Sequence, residues 1–277
     1  MPTIVRSAHE LDQKRDRGRV FTDEIFDETV QGLGLAGRVC AITGSTSGTG
    51  FFTAVAALRG GAACIVLLNR PSPRAEKARE ELQGLAGGAT EIIPVDCDLQ
   101  SFECVRAAAA IVAAETIKRG GLDVLACNAG IMAVGDARTV DGFDVQMQTN
   151  HLSHFLLTKL LLPDLQRSRA ARVVVVSSSL HDPKSAGGKR GKPCTLALDD
   201  LHLAKEGAYD SAMAYKRSKL ANVFFAYELK RKLASKQSKE TKLRLAAERG
   251  QTLAEREVDQ LGRRCGQAVR NALFSDL

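Results

Sequence analysis

Short apolar runs alternate with longer amphipathic stretches along most of the chain, at the pace of a sheet crossed by helices. Residues 37–42 read as a strand and 51–58 as the helix packed on it. Residues 63–68 form a second apolar run, ending at Asn69-Arg70, and 72–84 follow as a helix with Ala75, Ala78 and Leu82 on one face. A third strand is predicted over 91–95, a helix rich in Ala and Val over 101–119, and a fourth strand over 122–127. A long helix starts at Asp141-Gly142-Phe143-Asp144 and runs through 157. Residues 172–176 are a fifth strand, and 220–233 a further apolar helix. Strands and helices in this order predict an α/β fold with a doubly wound parallel sheet.

The ends of the chain break the pattern. Residues 1–35 form an N-terminal extension with a mixed charge run from Asp12 to Arg17. Phe21, Ile25, Phe26 and Val30 recur at helical spacing, so a short amphipathic helix is predicted over 22–31. Residues 180–211 are irregular, rich in Gly and Lys, with Pro183 and Pro193. Residues 233–277 are polar and charged, and Val258, Leu261, Cys265 and Val269 lie on one helical face. No β-branched run there is long enough for a buried strand. The chain therefore divides into an extension (1–35), an α/β domain (36–232) and a helical tail (233–277).

Composition narrows the function classes. Hydrophobic residues make up 44% and charged residues 26%, ordinary for a soluble globular protein. The net charge of +7 is a mild excess; with 5% aromatic residues and no Trp there is no base-stacking platform, and no nucleic-acid partner is expected. No apolar run approaches a membrane span, and residues 1–20 lack a signal-peptide core. The seven cysteines show no C-x-x-C spacing and read as buried thiols of a reducing, cytoplasmic compartment.

Candidate chemistry gathers at two places. Thr43-Gly44-Ser45-Thr46-Ser47-Gly48-Thr49-Gly50 joins a strand to a helix, the arrangement that seats a dinucleotide pyrophosphate on the first helical amides. The next strand end faces the adenosine ribose. It carries Arg70, with Arg74 close behind, where an acidic side chain would favour NAD; a cation suits a 2′-phosphate, so NADP(H) is expected. Tyr215 and Lys219 are four apart, one turn apart on one helix face. A Tyr hydroxyl ordinarily titrates near about 10, and a neighbouring ammonium favours its phenolate. Asn150 stands mid-helix among apolar residues, where Asn is costly without a partner. His151 and His154 are three apart, too little to indicate a metal, and no metal site is expected.

The T-G-x-x-x-G-x-G stretch, Asn128-Ala129-Gly130, the mid-helix Asn150, the serines at the end of the fifth strand and Tyr-x-x-x-Lys occur in an order that resembles the short-chain dehydrogenase/reductase superfamily, over 36–232. The long stretch between Ser178 and Tyr215, and Tyr215-Lys216-Arg217-Ser218-Lys219-Leu220-Ala221-Asn222, are similar to its retinol dehydrogenase, WW-domain oxidoreductase and protochlorophyllide reductase members. The resemblance implies a Rossmann fold. It implies a catalytic set of Asn150, Ser178 (with Ser179 as the alternative), Tyr215 and Lys219. It implies coenzyme contacts at Gly44, Ser45, Ser47, Gly48, Thr49, Gly50, Asp98, Leu99, Asn128, Ala129 and Gly130, besides Arg70, Tyr215 and Lys219. The substrate would be a small molecule with a bulky, lipophilic frame bearing a carbonyl, an alcohol or a conjugated double bond, and a homodimer is the default assembly. After the Tyr215 helix such proteins have a sixth strand, a Pro-Gly turn, a lid and a seventh strand; none is recognisable here, so the sheet is expected to lack its last strands. A second reading follows from that: a truncated, catalytically impaired relative that binds dinucleotide or serves as a scaffold.

Overall fold

The computed structural model describes residues 30, 34–184, 192–195, 200, 203 and 209–248, and over 235–248 only the course of a helix. The helix expected over 22–31, apart from Val30, and the tail face of Val258, Leu261, Cys265 and Val269 lie outside the described residues. The elements are β1 (Val39–Thr43), α1 (Gly48–Arg59), β2 (Cys64–Asn69), α2 (Pro73–Ala86), β3 (Glu91–Asp96), α3 (Phe102–Ile117), β4 (Val124–Cys127), α4 (Val145–Met147), α5 (Ser153–Arg167), β5 (Arg172–Val175) and α6 (Ser211–Glu248). The described residues fall into two compact units, one drawn from Met1–Gly130 and Ser153–Val176, the other from Ile131–Leu152 and Ser177–Leu277.

The first unit holds the whole described sheet, parallel throughout, in the order β3-β2-β1-β4-β5. Side chains alternate across it. Cys40, Ile42, Ile65 and Leu67 pack with Phe51, Ala54 and Val55 of α1 and Leu82 of α2. Val39, Ala41, Val66 and Leu68 pack on the other face with Val105, Ala108 and Val112 of α3 and Leu157 and Leu161 of α5. Both faces of the central strands are dry, which is why β1 and β2 read as continuous apolar runs rather than alternating ones. Each fully buried Leu stabilises this packing by about 1.5–3 kcal/mol, and Leu82→Ala would cost about 2–5 kcal/mol.

The edges behave differently. In β3 exposed and buried residues mix, and Pro94 is tolerated because an edge strand has one side without a ladder partner. Among the described residues the sheet ends at β5, where Val174 is 48% exposed. Among the described residues this is a five-stranded Rossmann-type sheet, with no sixth or seventh strand. Strand order reverses between β1 and β4, and ligands of such sheets bind beyond the carboxyl ends at that reversal.

Local chemistry sets the element ends. Ser72 caps α2 by accepting from the Ala75 amide at 3.2 Å, with Pro73 as the first helical residue, and Ser101 caps α3 by accepting from Cys104 at 3.3 Å. Asp123 joins the starts of β1 and β4. It accepts from the Val39 amide at 2.9 Å, Arg38 Nη1 at 2.8 Å and Ser168 Oγ at 2.7 Å. Burial pushes its carboxyl pKa up, but these three donors outweigh it and hold the group below the usual value. Burial pushes the Cys40, Cys97 and Cys127 thiols up to about 12, so they act as packing groups.

In the second unit the helix expected from residue 141 starts later, at Val145, where Asp144 Oδ1 accepts from the Met147 amide at 2.7 Å. It gives way to a π-helical turn, Gln148–Leu152, rather than continuing as α-helix. Helix α6 begins before the expected residue 220 and runs unbroken across 232–233. No helix among the described residues is long and apolar enough to cross a membrane.

Candidate active site

In the first unit the chain leaves β1 at Thr43 and turns at Gly44 with φ +70°. A Cβ on Gly44 would stand 2.8 Å from Cα and Cβ of Ala129. One on Gly50 would stand 2.1 Å from the Gly44 carbonyl oxygen and 2.4 Å from Asn128 Nδ2. Close approach therefore requires glycine at both. Gly48 has open space around it and is needed for its φ of +54°. Ser47, Gly48 and Thr49 are exposed, the Ser47 side chain makes no capping bond, and the first turn of α1 carries no acidic residue. The leading amides of this helix thus suit an anion, and the cradle fits a dinucleotide pyrophosphate.

The Thr43 hydroxyl ties this turn to the one after β4. Its Oγ1 accepts from the amides of Asn128 at 2.9 Å and Ala129 at 3.0 Å. Two acceptances fill its lone pairs, so its proton goes to His154 Nε2 at 2.8 Å in preference to the Ala126 carbonyl at 3.3 Å. Asn128 Nδ2 donates to the carbonyls of Thr43 at 3.0 Å and Gly44 at 3.2 Å. Ser45 is fully buried; its amide donates to Asn69 Oδ1 at 2.8 Å and its Oγ accepts from Asn69 Nδ2 at 2.9 Å. Arg70 and Arg74 are exposed and make no ion pair among the described residues. Asp98 is half-buried and accepts from the Gln100 amide at 2.9 Å, while Leu99 belongs to the core and its carbonyl accepts from Ser153 Oγ at 2.6 Å. Gly130 is exposed.

Asn150, Ser178, Tyr215 and Lys219 all lie in the second unit. Lys219 is buried, with Nζ 5.6 Å from the Tyr215 ring centroid, within cation–π range. Burial pushes the Lys219 pKa down. Asn150 sits in the π-helical turn with its side chain fully engaged. Oδ1 accepts from the Ile131 amide at 2.8 Å, and Nδ2 donates to the Ile131 carbonyl at 2.9 Å and to Ser218 Oγ at 3.0 Å. Ser218 Oγ in turn donates to the Tyr215 carbonyl at 2.7 Å, and Asn222 Nδ2 donates to the Asn150 carbonyl at 3.0 Å. Ser177 Oγ donates to the Lys219 carbonyl at 2.8 Å. Ser178 is half-buried, caps the short 3-10 turn Ser179–His181 by accepting from Leu180 at 3.3 Å, and its carbonyl meets His181 Nδ1. Ser179 is exposed.

The two histidines at helical spacing serve different networks. His151 Nδ1 donates to Asn222 Oδ1 at 3.0 Å, burial pushes its pKa down to about 4, and its ring stands edge-on to Phe225. His154 meets Thr43 instead. Among the described residues no group of three or more His, Cys, Asp or Glu side chains is arranged to hold a metal. Asn69, His154, Ser218 and Asn222 were given no role by sequence reasoning. For Ser218 and Asn222 a signal exists: they fall three and seven positions after Tyr215, polar residues on the same face of α6 as Lys219. Asn69 and His154 carry no such local mark.

A family model described as short chain dehydrogenase matches residues 38–189. The chain is 40% identical over 209 residues to retinol dehydrogenase 14 of Homo sapiens, covering 71% of this chain and 57% of that protein. It is 35% identical over 208 residues to the WW domain-containing oxidoreductase of Homo sapiens, covering 75% of this chain and 48% of that protein. The crystal structure of an uncharacterized protein from Mycobacterium Paratuberculosis superposes with a TM-score of 0.60 at 39% identity, over 74% of this chain and 65% of that one. The chain thus spans about half the length of the curated relatives it matches.

Proposed function

The chain belongs to the short chain dehydrogenase family, and on that premise we propose that it is an NADP(H)-dependent oxidoreductase of a lipophilic carbonyl or alcohol. The observation that carries this reading is the α6 face on which Tyr215 stands one turn from a buried Lys219, with Asn150 bonded to the same helix through Ser218 and Asn222. Gly44, Ser47, Gly48, Thr49 and Gly50 would hold the pyrophosphate, with Asn128, Ala129 and Gly130 beside them. Arg70 and Arg74, exposed and without ion pairs among the described residues, favour a coenzyme with a 2′-phosphate. The coenzyme, when bound, supplies or accepts the hydride.

The protein's own groups handle the proton and the position. In carbonyl reduction the Tyr215 hydroxyl gives its proton to the substrate oxygen, and in alcohol oxidation the phenolate takes it back. The Ser178 hydroxyl donates to the same oxygen and stabilises the charge that develops on it. The Lys219 ammonium keeps positive charge beside the phenol ring. Asn150 holds the π-helical turn against Ile131 and α6, so that its carbonyl can carry a water of the proton path. Support for a lipophilic substrate comes from the name of retinol dehydrogenase 14, which is that of an enzyme of retinol.

The test is NADPH consumption with retinal and steroid ketones, on the unmodified protein and on Tyr215→Phe. We expect Tyr215→Phe to lose about 100-fold or more in turnover and to keep its affinity for NADPH. Near-full activity in that variant would put the proton donor elsewhere. A second reading is a dinucleotide binder of low turnover, favoured by the exposed Val174 on β5, where the sheet ends among the described residues. Thermal stabilisation by NADPH without turnover on any substrate would favour it.

A further inference from the structure

Two side chains grip the turn that follows β1, one from each neighbouring strand. At the end of β4, Asn128 Nδ2 donates to the carbonyls of Thr43 and Gly44. At the last residue of β2, Asn69 uses both ends of its carboxamide on Ser45: Oδ1 accepts from the Ser45 amide at 2.8 Å, and Nδ2 donates to Ser45 Oγ at 2.9 Å. Asn69 and Ser45 are buried, and Asn128 is half-buried. A turn with glycines at 44, 48 and 50 has many open conformations, and ordering it costs entropy that a ligand must otherwise supply. A turn already held in place spares the ligand that cost.

The Asn69 contact has a second effect. The end of β2 faces the coenzyme ribose. The Asn69 side chain there is turned inward onto Ser45, and the next residue, Arg70, at the position where an acidic side chain would favour NAD, is exposed, as is Arg74.

We propose that Asn69 is a positioning residue of the coenzyme site. Its clamp on Ser45 pre-forms the Gly44–Gly50 turn, and it leaves the ribose end to Arg70 and Arg74. Ser45 then serves as the anchor of the turn rather than as a ligand contact. The inference rests on the coenzyme reading above and deepens it.

The test is calorimetric titration of NADPH and NADH into the unmodified protein and into Asn69→Ala, Ser45→Ala, their double variant, and Asn69→Asp. Asn69→Ala removes both bonds and is expected to weaken both coenzymes about tenfold; Ser45→Ala keeps the amide bond to Asn69 Oδ1 and should weaken them less, and the double variant should be no weaker than Asn69→Ala alone, because Asn69→Ala already removes the whole clamp. Asn69→Asp still accepts from the Ser45 amide but adds a negative charge, and should weaken NADPH about tenfold more than NADH. A purely structural loss would weaken the two coenzymes alike in this variant. Asn69→Ala within twofold of the unmodified protein, or losses that multiply in the double variant, would overturn the clamp. If Asn69→Ala does not fold, Ser45→Ala and Asn69→Asp carry the test. Equal affinity of the unmodified protein for both coenzymes would sink the NADP reading alone, since the clamp is still decided by the cycle on either one. Binding of neither would overturn both.

Discussion

Gly50 and Gly48 stand two residues apart in one turn, yet their replacement by Ala should have unequal consequences. At Gly50 an added Cβ would lie 2.1 Å from the Gly44 carbonyl oxygen and 2.4 Å from Asn128 Nδ2, where ordinary contact begins at 3.4 Å. Neither neighbour can swing aside cheaply. One is backbone, and the other already holds the carbonyls of Thr43 and Gly44. The start of α1 would have to recoil by about 1 Å, at a strain of about 1–3 kcal/mol, and the two Asn128 bonds would be lost at about 1 kcal/mol each. Together Gly50→Ala should cost about 3–5 kcal/mol and lower Tm by about 10 °C. At Gly48 nothing lies within 4 Å, and only the φ of +54° resists a side chain, at about 1–2 kcal/mol. Urea unfolding of the two variants measures the difference directly, and NADPH titration should show Gly50→Ala with the greater loss of affinity. If the two variants lie within 1 kcal/mol of each other, the close-approach argument is wrong.

Three further outcomes follow from the geometry. Thr43→Val leaves the amides of Asn128 and Ala129 without their acceptor and should cost about 2–4 kcal/mol in urea unfolding, whereas Thr43→Ser keeps the hydroxyl and should cost less than about 1.5 kcal/mol; equal losses would refute the accounting. Arg70→Asp should weaken NADPH about tenfold or more relative to NADH, as expected for loss of a charge-assisted bond, and an unchanged ratio in the titrations would remove Arg70 from the ribose end. The Asp123 carboxyl is held below its ordinary pKa, so its stabilising contribution is complete above the unfolded value of about 3.9 and is lost as pH falls through the lower folded value. The stability gap between the unmodified protein and Asp123→Asn should therefore be constant near neutral pH and narrow in acid; a gap that widens in acid would reverse the sign of the argument.

The sheet was legible because its signals are local. The runs at 39–42 and 64–68 are apolar on successive residues, and a parallel strand covered on both faces needs that pattern. The serines at 72 and 101 mark where helices begin because a cap acts within three residues. The helix around Asn150 was less legible. A run of helical spacing does not reveal that Asp144 caps it late or that residues 148–152 widen into a π-helical turn, because that turn is supported from Ile131, Ser218 and Asn222.

By itself the sequence determined the alternation of strands and helices, the glycines that shape the turn after β1, and the four-residue spacing that puts Tyr215 and Lys219 on one face. Each of these depends on residues within a turn or two of one another. Only the tertiary structure decided what the buried polar side chains do: that Asn69 clamps Ser45, that Thr43 and His154, 111 residues apart, are hydrogen-bonded, and that Asn222 holds the Asn150 carbonyl. A buried polar group must find a partner, but which partner it finds depends on strand order and on helix packing across the chain, and no local pattern of residues records that.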